Sequence, residues 1–294
     1  MIPRGMVAII PAARALRSRL VWLVLPGNMS VPSLSDLLHV AIDAAYMAGR
    51  RTLAYFNTRV AVETKADNTP VTCADREAEE MIRRTILKAF PAHSILGEEG
   101  GIHEGDKQYR WIVDPIDGTK SFICGVPMYG VLIGLEISGR PQVGVVYLPA
   151  LDEMVSAATG LGCKWNGREA RVSSVAKLSD AVVSCTSITT ALSRSDAFEK
   201  ITSKAKVTRG WGDCYGHVLA ATGRIEVMFD PRMNRWDAAP FAAIYQEAGG
   251  HYSNWRGEAT IWGTDGVGTN AALHREVIGI LTSETLKPGW KHGG

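Results

Sequence analysis

No C-x-x-C pair, no H-E-x-x-H and no paired histidine spacing occurs in the sequence. The five cysteines, Cys73, Cys124, Cys163, Cys185 and Cys214, are scattered and odd in number. That pattern excludes a disulfide framework, a zinc ribbon and a redox dithiol, and it predicts a reducing compartment. Also missing are G-x-G-x-x-G, the P-loop and G-x-S-x-G, so dinucleotide, nucleoside-triphosphate and α/β-hydrolase chemistry have no sequence support. No uncharged apolar run nears the ~20 residues that span a bilayer. Glu136 interrupts the best internal run, while Arg14, Arg17 and Arg19 flank the N-terminal one. Excess charge of one sign is lacking too: Lys and Arg number 32 against 30 acids. A balance of +2 gives no broad footprint for nucleic acid or membrane, and a small-molecule partner is expected. What is present is an ordinary globular composition, with 294 residues of which 46% are hydrophobic, enough for a core without disulfides or a structural metal.

Residues 1–32 stand apart, with four Arg, no Lys and no acid. They are leader-like. A transit peptide, a weak secretory signal and an over-extended start with Met29 as the true one all fit, and in each case the stretch is expected outside the fold. From Ser35 the spacing of Leu38, Ile42, Ala45, Leu53 and Phe56 predicts a helix capped by Ser33 or Ser35; Ala78, Met81, Ile82, Ile86 and Phe90 predict a second, with Asp75 in its first turn. Short β-rich runs follow at 94–96, 109–113, 130–137, 142–147, 154–158 and 163–165, read as an antiparallel sheet. Beyond Lys177 strands and helices alternate, including a helix from Ser195, one over 213–222 and one over 236–248. Two subdomains are expected, an α+β one over 33–176 and an α/β one over 177–290.

The chemistry concentrates in Asp114-Pro-Ile-Asp117-Gly-Thr119. An apolar strand delivers Asp114, Pro115 is expected to end the sheet, and Asp117 follows three residues on, so two carboxylates can converge. Oxygen donors without His or Cys suit Mg²⁺, or Mn²⁺, rather than zinc. Gly118-Thr119 would open a helix whose free N–H groups can receive phosphate. Gly97-Glu98-Glu99-Gly100 and Trp236-Asp237 offer further acids, although each alone reads equally well as a solvated loop or a helix start. His217, beside Val218 and Leu219, reads as a packed or surface residue rather than a ligand.

Taken together, Thr72-Cys-Ala-Asp75, Gly97-Glu98-Glu99, Asp114-Pro-Ile-Asp117-Gly-Thr119 and Trp236-Asp237, followed by Gly249-Gly250, resemble the inositol monophosphatase superfamily of Mg²⁺-dependent, lithium-sensitive phosphatases, from about Ser35 to Leu281. The resemblance implies an α/β (mixed α+β) fold layered α-β-α-β-α, as in the inositol monophosphatase and fructose-1,6-bisphosphatase type. It implies two or three Mg²⁺ ions: Glu98, Asp114 and the Ile116 carbonyl on one, Asp114, Asp117 and Asp237 on a second, and Glu98 on a weaker third. It implies that Thr119, hydrogen-bonded to Asp75, orients and deprotonates the attacking water, while the Gly118 and Thr119 N–H groups hold the phosphate. A homodimer is implied as well.

The segment Thr208-Arg-Gly-Trp-Gly-Asp213, with Asp230-Pro-Arg-Met-Asn-Arg-Trp-Asp237, resembles the histidinol-phosphate phosphatase branch. Asp213 and Asp230 would then face the cationic half of that substrate. Asp213 could also be a helix N-cap and Asp230 an Asp-Pro turn. The expected function is hydrolysis of L-histidinol phosphate in histidine biosynthesis. An inositol-1-phosphate, sugar or nucleotide phosphatase of the same superfamily is the alternative, and a partner of transcription complexes with incidental catalysis is the alternative from another class. A cytoplasmic location is expected, or an organellar one if residues 1–32 are a transit peptide.

Overall fold

The side chain of Ser33 accepts the Asp36 N–H and starts a helix over Leu34–Thr52. The structure, a computed structural model, describes residues 31–65 and 69–290, so the expected leader lies almost wholly outside the described residues. In this first helix the fully buried stripe is Leu37, Ala41, Ala44, Ala45 and Ala48, so Ala45 lies inward as expected, whereas Leu38 and Ile42 are only half-buried and Leu53 and Phe56 fall beyond the helix end. Small alanines win the inner face because a second helix, Cys73–Ala89, packs close against it, with Ala78, Ile82 and Ile86 in the same core.

These two helices cover one face of an eight-stranded sheet. Strand 130–137 shows how the sheet sorts its side chains: Val131, Ile133 and Leu135 join the helix-pair core, while Leu132 points to the opposite one. Its hairpin partner, Arg140–Leu148, is joined through Ser138 and Gly139, both at positive φ, as a two-residue primed turn requires. The sheet is mixed rather than antiparallel throughout, because His93–Gly97 pairs in parallel with Asp106–Asp117. A five-stranded sheet follows at 182–269. It too has two apolar faces, with Met228 in the shared core, and Val227 and Phe229 under an outer helix layer that includes Phe198, Val277 and Leu281. Between the sheets lie the helices Asp213–Ala221 and Phe241–Ala248. The order of layers is therefore α-β-α-β-α. From Pro32 onward the residues form one compact unit, with the two sheets on either side of residue 176. No helix among the described residues is long and apolar enough to cross a membrane.

Two local expectations are corrected and one helix is added. Pro115 does not end its strand: pairing runs on to Asp117 across a bulge, with Asp114 opposite Leu132 and Asp117 opposite Gly130. The extra residue re-aims the chain, as bulges beside functional sites do. The helix read from Ser195 is present as Ala197–Thr202, and a separate helix that the sequence reading did not include, Ile188–Arg194, precedes it, capped by Ser187 and ended where the chain turns extended at Ser195. The helix read over 236–248 is two, Arg235–Ala238 and Phe241–Ala248, with Pro240 as the N-cap of the second rather than a member of one helix.

That joint sits directly on the large sheet. Gly134 and Gly144 are paired across the β-hairpin, and a Cβ on either would lie 2.6 Å from Ala239 or 2.1 Å from the Pro240 carbonyl. Their bare backbones let the helix carrying Asp237 approach. Gly144→Ala is therefore expected to destabilise the protein by about 1–3 kcal/mol through overpacking. A denaturant midpoint equal to that of the unsubstituted protein would show that the joint has room to spare.

Candidate active site

Two structural elements deliver three acids to one point. The bulged strand supplies Asp114 and Asp117, the joint supplies Asp237, and carboxylate oxygens of all three lie within 4.8 Å of one another. Each is oriented by a backbone donor: Ile116 N–H gives to Asp114 Oδ1 (3.0 Å), Cys214 N–H to Asp117 Oδ2 (2.5 Å), and Asn234 N–H to Asp237 Oδ2 (2.7 Å). The last bond is half of a capping box, so Asp237 is fixed by the start of its own helix.

Glu98 meets Asp114 from the neighbouring strand end, but its Oε1 also accepts from Lys65 Nζ at 2.7 Å, and Glu99 takes the same ammonium at 2.6 Å. Lys65 drew no notice in the sequence, where a lone lysine before Ala-Asp-Asn carries no periodic or motif signal. Glu79 was missed as well. Buried one turn after Asp75, it accepts the Glu99 and Gly100 N–H groups (2.7 and 2.8 Å) and so shapes the loop presenting Glu98. Its place in a helix stripe gave no hint of that.

Burial pushes Asp114 and Asp117 well above the usual carboxylate range, with neighbouring carboxylates adding to it: Glu98, Asp117 and Asp237 for Asp114, Asp213 and Asp237 for Asp117. Burial takes Asp237 up to about 7. A crowd of half-buried acids is self-repelling, and a hard divalent cation would relieve it through oxygen donors alone, so the donor set fits such an ion. The folded carboxylates titrate above the ordinary value of about 4, so their stabilising contribution is whole below that value and is lost as pH rises through the folded one. In EDTA the melting temperature is therefore expected to fall between about pH 5 and pH 8, and millimolar Mg²⁺ should restore it at the upper end. A profile in EDTA that is flat or rises over that window would contradict this electrostatic account.

The hydrogen bond expected between Thr119 and Asp75 is not formed. Thr119 Oγ1 donates to the Ile116 carbonyl (3.1 Å), and Asp75 Oδ2 accepts from Thr72 N–H and Oγ1 (2.8 and 2.7 Å). Asp75 is the N3 residue of its helix, where folding back satisfies an orphan N–H. Gly118, at φ 81°, begins a helix of only Thr119–Ile123.

On the far side of Asp117 stands Asp213. It is not an N-cap: Gly212 fills that position and Asp213 is the first helical residue, at φ 53°. A non-glycine residue there is uncommon, although Asp tolerates it better than most. A Cβ on Gly118 would lie 3.3 Å from Asp213 Oδ2, so this carboxylate borders the turn that opens the Thr119–Ile123 helix. Burial, then Asp230, raises Asp213 to about 7. Asp230 is buried rather than facing the site opening, and it accepts from Thr186 Oγ1 and from His217 Nε2 at 2.7 Å. The expectation that it faces a substrate directly meets a carboxylate with both oxygens already engaged. His217 is indeed packed, but it is also hydrogen-bonded at both ring nitrogens.

A bulged Asp-x-x-Asp strand joined by a helix-start Asp between the layers of an α-β-α-β-α sandwich makes a cluster of oxygen donors that could hold a metal ion. The chain belongs to the inositol monophosphatase family, whose model matches residues 33–286. It is 44% identical over 248 residues to the histidinol-phosphatase of Chlorobaculum parvum (83% of this chain, 96% of that one). It is 37% identical over 256 residues to that of Mycobacterium tuberculosis (84% and 98%). Its fold superposes on the Thermotoga maritima IMPase with a TM-score of 0.77 at 30% identity, covering 84% of this chain and 97% of that one.

Proposed function

We propose that the chain hydrolyses L-histidinol phosphate to L-histidinol and phosphate with Mg²⁺ at its acidic site. The observation that supports the substrate is Asp213, a second kind of acid placed beside Gly118, outside the cluster of Asp114, Asp117 and Asp237. A neutral alcohol gives that carboxylate no charge to pair with, only a hydroxyl donor. An ammonium or imidazolium gives it a charge, and the two histidinol-phosphatases matched above favour the same substrate.

In this reading Glu98, Asp114, Asp117, Asp237 and the Ile116 carbonyl would hold the ions. A divalent ion bound there supplies a water of lowered pKa and neutralises charge on the transferring phosphoryl group. The Gly118 and Thr119 N–H groups receive the phosphate, and the Thr119 hydroxyl with Asp75 positions the attacking water and takes its proton. No side chain need become phosphorylated.

Asp213→Asn tests the substrate. Losing a charge-assisted hydrogen bond, about 1.5–3 kcal/mol, should raise KM for L-histidinol phosphate about 10- to 100-fold. The ratio of kcat/KM between that substrate and glycerol 2-phosphate should fall accordingly. If both substrates lose equally, Asp213 serves the loop and not the organic half of the substrate.

A further inference from the structure

Behind Asp213 a chain of hydrogen bonds runs into the middle helix layer. Tyr245 and His217 meet through the phenol and Nδ1 (3.2 Å), His217 Nε2 meets Asp230 Oδ2 (2.7 Å), Asp230 Oδ1 meets the Thr186 hydroxyl, and Thr186 Oγ1 meets the Asp213 N–H (2.8 Å). From His217 Nε2 to Asp213 every direction is fixed by chemistry. A carboxylate only accepts, so Nε2 of His217 carries the proton, and the single hydroxyl proton of Thr186 goes to Asp230. That leaves the lone pairs of Thr186 for the Asp213 N–H, which can only donate. His217 has no freedom to turn: it is fully buried, with its ring stacked on Phe241 at 4.3 Å between centroids.

The far end of the chain is the backbone that needs holding. Asp213 sits at φ 53°, and the preceding Gly212 permits the approach, since a Cβ there would lie 2.7 Å from the Thr186 Cα. The next N–H, of Cys214, is already bound to Asp117 Oδ2 at 2.5 Å. Two consecutive backbone donors thus tie this turn to the acidic site on one side and to Thr186 on the other.

We infer that Thr186 and His217 are positioning residues for specificity, holding the left-handed turn that aims the Asp213 carboxylate at the substrate, with Asp230 as the link between them rather than a substrate contact. This rests on the reading of Asp213 as the partner of the substrate's cationic half.

Thr186→Val removes the hydroxyl at constant shape and His217→Leu removes the donor to Asp230, while Thr186→Ser and His217→Gln keep one. Thr186→Val is expected to raise KM for L-histidinol phosphate about tenfold with kcat within about twofold, and to leave kcat/KM for glycerol 2-phosphate within about twofold. Thr186→Ser should restore KM, and His217→Leu should reproduce the rise where His217→Gln largely does not. A second readout needs no substrate: hydrogen exchange of the Asp213 amide, followed by NMR, should quicken at least about tenfold in Thr186→Val and return in Thr186→Ser. Unchanged exchange, or equal losses on both substrates, would overturn the positioning role. If the unsubstituted enzyme does not favour L-histidinol phosphate over glycerol 2-phosphate, the substrate reading falls, and the exchange measurement still decides whether Thr186 holds Asp213. Should Thr186→Val fail to fold, the His217 pair of variants decides by the same two measurements.

Discussion

Asp114→Asn and Asp237→Asn are each expected to abolish measurable phosphatase turnover, a loss on the order of 10³-fold or more, because each withdraws a charged oxygen from the set that would hold the ions. The same variants should not be less stable. Asparagine keeps an oxygen for the Ile116 N–H in one case and for the Asn234 N–H, which caps the helix, in the other. It also removes a carboxylate that burial and its neighbours push upward. In EDTA at pH 7.5 both variants should therefore melt at or above the temperature of the unsubstituted protein, while Mg²⁺ should raise their melting temperature less. Full turnover in EDTA by the unsubstituted protein would remove the metal from the mechanism. Variants that are inactive because they are unfolded would remove the electrostatic account.

Thr119→Ala and Asp75→Asn are each expected to lower kcat by about 10²-fold with KM little changed, since they act on the attacking water rather than on substrate affinity. The structure makes the double variant the more telling measurement. Thr119 now donates to the Ile116 carbonyl and Asp75 folds back on Thr72. For the two to act as a pair, the threonine hydroxyl has to leave that carbonyl, and an ion held by Ile116 would compete for the same oxygen. If they do pair, the double variant loses hardly more than either single one. Multiplied losses would mean that Asp75 serves its capping box and that Thr119 acts alone.

The first helices, the strand runs and the acidic strand could be read from the sequence because their signals are local: apolar strands with period two, Pro and Gly punctuation, and acids at fixed short offsets; the layer order came only through the family resemblance. Asp114, Asp117 and Asp237 converge as the motifs imply. What escaped the sequence is what depends on the third dimension. Leu38 and Ile42 look like a helix's inner face, yet the neighbouring helix comes so close that the alanines beside them take it. Pro115 reads as a strand terminator, but a bulge lets pairing resume at Asp117. Lys65, Thr186 and His217 lie far in sequence from the residues they touch, and nothing in their immediate neighbours foretells Glu98, Asp213 or Asp230 as partners. Asp230 shows the converse case: the sequence places it at the site, whereas its burial shows it reaching the site through another residue.

The helices between the two sheets give the molecule a mechanical character beyond catalysis. Their core draws Ile112, Leu132 and Val146 from the large sheet and Met228 from the small one into a single packed body, together with Cys214, Phe241 and Tyr245. Neither sheet can peel away without exposing that body to water, so the molecule has no cheap partial melting in which one half survives. Asp114 and Asp117 rest on one sheet, whereas Asp237 and Asp213 belong to the sandwiched layer. The bond between Cys214 and Asp117 crosses that boundary. The centre is thus expected to come apart together with the whole architecture, and an ion held there should be lost on heating in the global transition rather than in a local event.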